Sequence, residues 1–156
     1  MAGGSLWDFA LEAYGRPGVE QALIELQDAH GQCVPFLLWR LWLSAEGRKP
    51  DAAVLGRGAA LARAWDETAV APLRGLRRQL KRGPAIVAPE PRERLREGVK
   101  ALELMAERLL LERLESESPP PVGPPSEPAA SLEGAIAAWG GAPPPALLRR
   151  LAALVT

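Results

Sequence analysis

Apolar residues recur at steps of three and four over most of this chain, and no stretch shows the apolar/polar alternation of a half-buried strand. Leu6, Phe9, Ala10 and Ala13 fall on one helical face, with Trp7, Leu11 and Tyr14 on the adjoining one. Ser5 is placed to cap this helix and Asp8 to close a short capping box. In "YGRPG", Gly15 suits a left-handed C-cap and Pro17 the first turn of a second helix. That helix carries Val19, Ala22, Leu23, Ile24 and Leu26 and ends near His30 and Gly31. Pro35 opens a third, from Phe36 to about Ala45, whose Phe36, Leu37, Leu38, Trp39, Leu41, Trp42 and Leu43 nearly encircle it. A helix apolar on all sides is a central one, covered by its neighbours.

Asp51 caps a fourth helix that runs through Val54, Leu55, Leu61 and Trp65 toward Val70. Gly56 and Gly58 each weaken it by about 1 kcal/mol against alanine, so close packing is the expected reason for them. Pro72 marks a kink or a new helix, and residues 83–91 read as a connector whose Ile86 and Val87 dock on the core. A long helix follows from about Pro91 to Leu114. Its Leu95, Val99, Leu102, Ala106 and Leu109 form a seam, widened at the end by Leu110, Leu111 and Leu114. The prediction is an all-α fold: a compact multi-helix bundle over residues 5–115 with a long C-terminal seam helix. A flexible proline-rich linker over 116–130 and a short helical tail over 131–156 complete it.

The 156 residues suffice for one domain with a sizeable core, and 47% of them are apolar. Nineteen basic and nineteen acidic residues leave no net charge, so global charge points to neither nucleic acid nor membrane. A single cysteine forms no internal disulfide and fits a reducing cytoplasm. The N-terminus lacks the basic region of a signal peptide. The strongest apolar run, Val34 to Leu43 with Arg40 inside it, is about half the ~20 residues that span a bilayer. A soluble cytoplasmic protein without a membrane partner is expected.

Candidate chemistry is sparse. His30 and Cys33 could offer two metal ligands, but a structural zinc site needs four and the chain has no other His or Cys. The expectation is no metal, no cofactor and no catalytic residue. Arg40, in the most apolar helix, must be paired if buried, and Asp8 and Asp28 are the candidate partners. The alternative places Arg40 in a pocket bordered by Trp7, Tyr14 and Trp39. Arg74, Arg77, Arg78, Lys81 and Arg82 form a basic helical face for phosphates or an acidic partner, unless acids such as Glu103, Glu107 and Glu112 balance it. P-loop, G-x-G-x-x-G, G-x-S-x-G and H-E-x-x-H motifs are all missing from the sequence.

Leu6-Trp7-Asp8-Phe9, Tyr14, Arg16-Pro17-Gly18-Val19, Leu26-Gln27-Asp28, Gly31, Val34 and the Leu37-Leu38 to Trp42 segment together resemble the DUF2390 family of proteobacterial proteins of unknown function. "VAPLRGLRRQLK" and "RLREGVKALELMAERLLLERLE" are similar to its second half, so the resemblance spans roughly residues 5–115. It implies a small, helical, cytoplasmic bacterial protein. The family pattern tends to be polar where this chain has Cys33 and Pro35, which implies that Cys33 is not catalytic.

The leading expectation is therefore a non-catalytic adaptor or protein-interaction protein. Its partner would be another protein or a second copy packed on the seam helix. A small-molecule or lipid-like ligand carrier or enzyme, with its pocket near Trp7, Tyr14 and Arg40, is one alternative. A nucleic-acid-associated factor using the Arg74–Arg82 helix is the other.

Overall fold

Ser5 opens the chain's first helix as its spacing predicts: its Oγ accepts the Asp8 N–H at 3.1 Å and donates to Asp8 Oδ2 at 2.7 Å. The computed structural model describes residues 4–156. Its α-helices are α1 (Leu6–Gly15), α2 (Val19–His30), α3 (Val34–Ala45), α4 (Ala52–Trp65), α5 (Ala71–Arg82), α6 (Pro89–Ser116), α7 (Pro128–Trp139) and α8 (Pro145–Val155). No strand longer than one isolated bridge occurs among the described residues, so the all-α expectation holds.

The α1–α2 turn differs from expectation. Gly15 ends α1 without a left-handed φ, and Arg16 is extended because a residue before proline is driven out of the helical region. The left-handed position moves to Gly18, φ 86°, and Pro17 lies in the turn ahead of α2. Between α4 and α5 the chain does not break. Residues Asp66–Val70 form a π-helical segment that leads straight into α5, with Pro72 in its first turn. Pro72 has no N–H to donate to Thr68, so the ladder widens there instead of stopping.

The central helix is α3, as its all-round apolar surface predicts. Phe36, Leu37, Leu38, Trp39, Leu41, Trp42 and Leu43 are all buried, and α1, α2, α4, α6 and α7 pack around them. Gly58 of α4 makes one of these approaches possible. A Cβ there would stand 2.6 Å from Trp39 Cη2 and closer still to Cζ3, whereas at Gly56 it would meet nothing within 4 Å. Close packing thus accounts for Gly58 and not for Gly56.

The largest differences lie after residue 115. The proline-rich segment is extended, but it is strapped to the body. Trp39 Nε1–H donates to Ser118 Oγ at 2.8 Å, Arg48 Nη1 to the Pro119 carbonyl at 2.7 Å, and Ser44 Oγ to the Ser126 carbonyl at 2.7 Å. Backbone bonds from Val122 to Gly47 and from Ser126 to Ser44 complete the strap. Helices α7 and α8 then add Leu132, Ala135, Leu147, Leu148 and Leu151 to the same apolar core. The expected boundary at 115 is therefore no boundary of packing. Polar residues in a proline-rich run say nothing about the hydroxyl and carbonyl of Ser44, the carbonyl of Gly47 and the guanidinium of Arg48, and those decide its path.

Candidate functional site

Arg40 has neither of its expected partners. Asp8 is exposed and bonded to Ser5, and Asp28 is exposed and accepts from Arg78 Nη2 at 2.7 Å. On α3, Arg40 shares a face with Phe36 and Ser44, one turn to either side. Phe36 meets the Trp139 ring of α7 at 5.7 Å and Ser44 bonds to the strap, so this face turns toward α7. Arg40 Nε and Nη1 are buried without a hydrogen-bond partner, and burial lowers the guanidinium's pKa from its ordinary value. The residue as a whole is only half-buried, so these two nitrogens lie on its covered side.

The pocket expected beside it is not ligand-sized. Trp7, Tyr14, Pro35, Leu38 and Glu107 line a void of about 40 Å³, which neither Trp39 nor Arg40 touches. Ligand pockets run to roughly 300–1,000 Å³, so this one has room for little more than water. Trp39 is instead fully buried against Phe36, ring centroids 5.7 Å apart.

The five cations of the basic face have divided roles. Arg74 Nε lies 3.3 Å from Glu103 Oε1 and its Nη2 3.8 Å from Glu107 Oε1, while Arg77 Nε donates to Glu103 Oε2 at 2.5 Å. Arg78 pairs with Asp28, and Lys81 and Arg82 stay exposed at the end of α5 with no ion pair among the described residues. Two of the three proposed balancing acids, Glu103 and Glu107, do this work; Glu112 pairs along its own helix with Arg108 at 2.9 Å. No residue of α5 is fully buried, so ion pairs carry much of its attachment to α6.

This cluster contains the one strongly perturbed carboxyl among the described residues. Burial, and then the neighbouring Glu103 carboxylate, push Glu107 up to about 7, against the pull of Arg74 and Arg77. Burial also raises Asp66, and burial followed by Glu107 raises the Tyr14 phenol. The i,i+4 acids Glu103 and Glu107 facing an arginine row were the sequence signal for this cluster; the depth of Glu107 had none. A group titrating near neutrality can exchange a proton. Cys33 offers no activated thiol: it is buried, and burial pushes it up to about 12. His30 sits in the last turn of α2, and no cluster of three metal-ligating side chains occurs among the described residues.

An apolar groove of about 370 Å³ lies elsewhere, between α4 and α6. Leu61, Ala64, Trp65, Thr68, Leu109 and Leu110 line it, with Arg113 at the rim. Trp65 is fixed by its indole N–H, which donates to the Ala106 carbonyl at 2.8 Å. Beside the groove the expected seam of α6 is only half used. Val99 and Ala106 are buried, but Leu95, Leu102 and Leu109 are 59%, 51% and 48% exposed, and Met105 is 58% exposed. α4 and α5 cover one edge of the stripe and leave the other open.

The profile of the DUF2390 family, proteins of unknown function, matches residues 5–114. The chain belongs to the DUF2390 family. The match takes in α1 to α5 and nearly all of α6, hence both the ion cluster and the groove, and ends before the strap, α7 and α8. No curated protein and no solved structure matches the chain. No helix among the described residues is long and apolar enough to cross a membrane.

Proposed function

We propose that this DUF2390 protein is a non-catalytic adaptor of the bacterial cytoplasm that binds another protein along α6. The observation that carries this reading is the exposed row Leu95, Leu102, Met105 and Leu109 running beside the α4–α6 groove. Contiguous apolar surface of this kind marks interaction sites, and a groove with fixed walls between two helices suits the apolar face of a partner helix. The filled space around Trp7, Tyr14 and Leu38 supports binding over catalysis. A second reading, an apolar small ligand, draws on the groove's volume, which falls within the range of ligand pockets.

Affinity capture from native cells, comparing the wild type with Leu102→Glu plus Leu109→Glu, tests the proposal. A protein retained in stoichiometric amount by the wild type and lost from the variant is expected; light scattering shows whether it is a second copy. Identical captures from both, or release of only a small apolar molecule from the wild type, would refute the adaptor reading.

A further inference from the structure

The α5–α6 hairpin ends in a loop whose exposure reverses expectation: Ile86, predicted to dock on the core, is 89% exposed, and Val87 is 45% exposed. The loop is not slack. Arg92 Nη1 donates to the carbonyls of Pro84 and Val87, and the Val87 N–H closes a turn onto the Pro84 carbonyl. A guanidinium is thus spent on holding two aliphatic side chains out in water. Lys81 and Arg82 in the last turn of α5, and Arg94 in the second turn of α6, are exposed on the helix turns that flank it and form no ion pair among the described residues. The acids nearest these cations in sequence are Glu90, which is exposed, and Glu93 and Glu97, which share Arg96 at 2.7 and 3.6 Å.

We infer that this tip is a reversible docking site for an anionic lipid surface, with Ile86 and Val87 entering the headgroup boundary and Lys81, Arg82 and Arg94 meeting the lipid phosphates. Two features favour lipid over a protein or a nucleic acid. The tip presents two exposed aliphatic side chains, far short of the ~800 Å² per partner that a specific protein interface buries. A fluid bilayer needs no matching concavity, and clustered Lys/Arg beside an apolar anchor is the pattern of peripheral binding. Nucleic acid would use the cations and leave the aliphatic tip in water. Such docking is surface contact only and does not involve the α4–α6 groove.

The test is co-sedimentation of the full chain with vesicles of phosphatidylglycerol and phosphatidylethanolamine, against vesicles of phosphatidylcholine. Binding to the anionic vesicles that weakens with salt is expected, with none to phosphatidylcholine. Lys81→Gln plus Arg82→Gln should lower the partition coefficient about 25-fold, at roughly fivefold per cation near the surface. Ile86→Asp, at an exposed site that leaves the fold intact, should abolish binding with every cation in place. A nitrobenzoxadiazole label on Ile86→Cys should shift to the blue with anionic vesicles, whereas one on Glu133→Cys of α7 should not. Cys33 is buried and does not compete for the label. No binding to anionic vesicles at low salt, binding indifferent to Ile86→Asp, or an unshifted label at 86 would each overturn the inference.

Discussion

Gly56 and Gly58 offer the same substitution in the same helix with opposite expected outcomes. In a helix interior, alanine is favoured over glycine by about 1 kcal/mol. At Gly56 a new Cβ meets nothing within 4 Å beyond its own helix backbone and chain neighbours, so Gly56→Ala should gain roughly that 1 kcal/mol. At Gly58 the Cβ would enter the Trp39 ring, 2.6 Å from Cη2. The ring has little room to retreat: it is fully buried, packs on Phe36 and is tied by its N–H to Ser118. Overpacking costs about 1–3 kcal/mol, and losing the Trp39–Ser118 bond about 1 kcal/mol more. Set against the propensity gain, Gly58→Ala should be destabilising by about 1–3 kcal/mol. The two variants should then differ by about 2–4 kcal/mol, or roughly 4–16 °C in melting temperature for a chain of this size. Urea unfolding followed by far-ultraviolet circular dichroism measures the difference directly. Tryptophan fluorescence reports in parallel whether the Trp39 environment has changed. Equal stabilisation by both substitutions would refute the packing account of Gly58.

Glu107→Gln should alter stability in a pH-dependent way. Its folded pKa, about 7, lies above the ordinary glutamate value, so the folded protein binds this proton more tightly and wild-type stability falls as pH rises from about 4.5 through 7. The Gln variant should lack this fall and be more stable above neutrality by about 1–3 kcal/mol, with the difference vanishing near pH 4.5, as read by urea unfolding at both ends. Arg48→Ala removes the bond to the Pro119 carbonyl and the cation stacked 4.6 Å above the Trp42 ring. Limited proteolysis within residues 117–127 should accelerate severalfold while the melting temperature drops only slightly. Truncation after Glu127 should abolish cooperative unfolding in calorimetry, because it strips Leu132, Leu148 and Leu151 from the core.

Local rules carried most of the fold. The Ser5 and Asp51 caps, the encircled α3 and the arginine row opposite Glu103 and Glu107 all follow from residue type and spacing. Periodicity alone misplaces what depends on a second element. It cannot tell that the seam of α6 is covered along one edge only, or that Ile86 points away from the core. It also cannot orient Arg40, since a helix apolar on every side gives no clue to which neighbour a single charge will face. The strap was illegible for a different reason: apart from the Trp39–Ser118 bond, its hold comes from main-chain carbonyls, which no side-chain pattern reports. Glu107 combines both problems, an ordinary acid by sequence whose depth is set by α1 and α3.

The family match and the core end some forty residues apart, at 114 and at 155. Between those two ends lies the cover for one side of α3, where Phe36 meets Trp139 and α7 runs against the helix. A stretch of sequence that recurs across relatives is a unit of descent; a set of side chains that exclude water together is a unit of folding. In this protein the two units do not coincide. A relative that shares α1 to α6 but has no counterpart of α7 and α8 would inherit an apolar flank on its central helix that some other surface has to cover. The tail seen here is that cover, already attached.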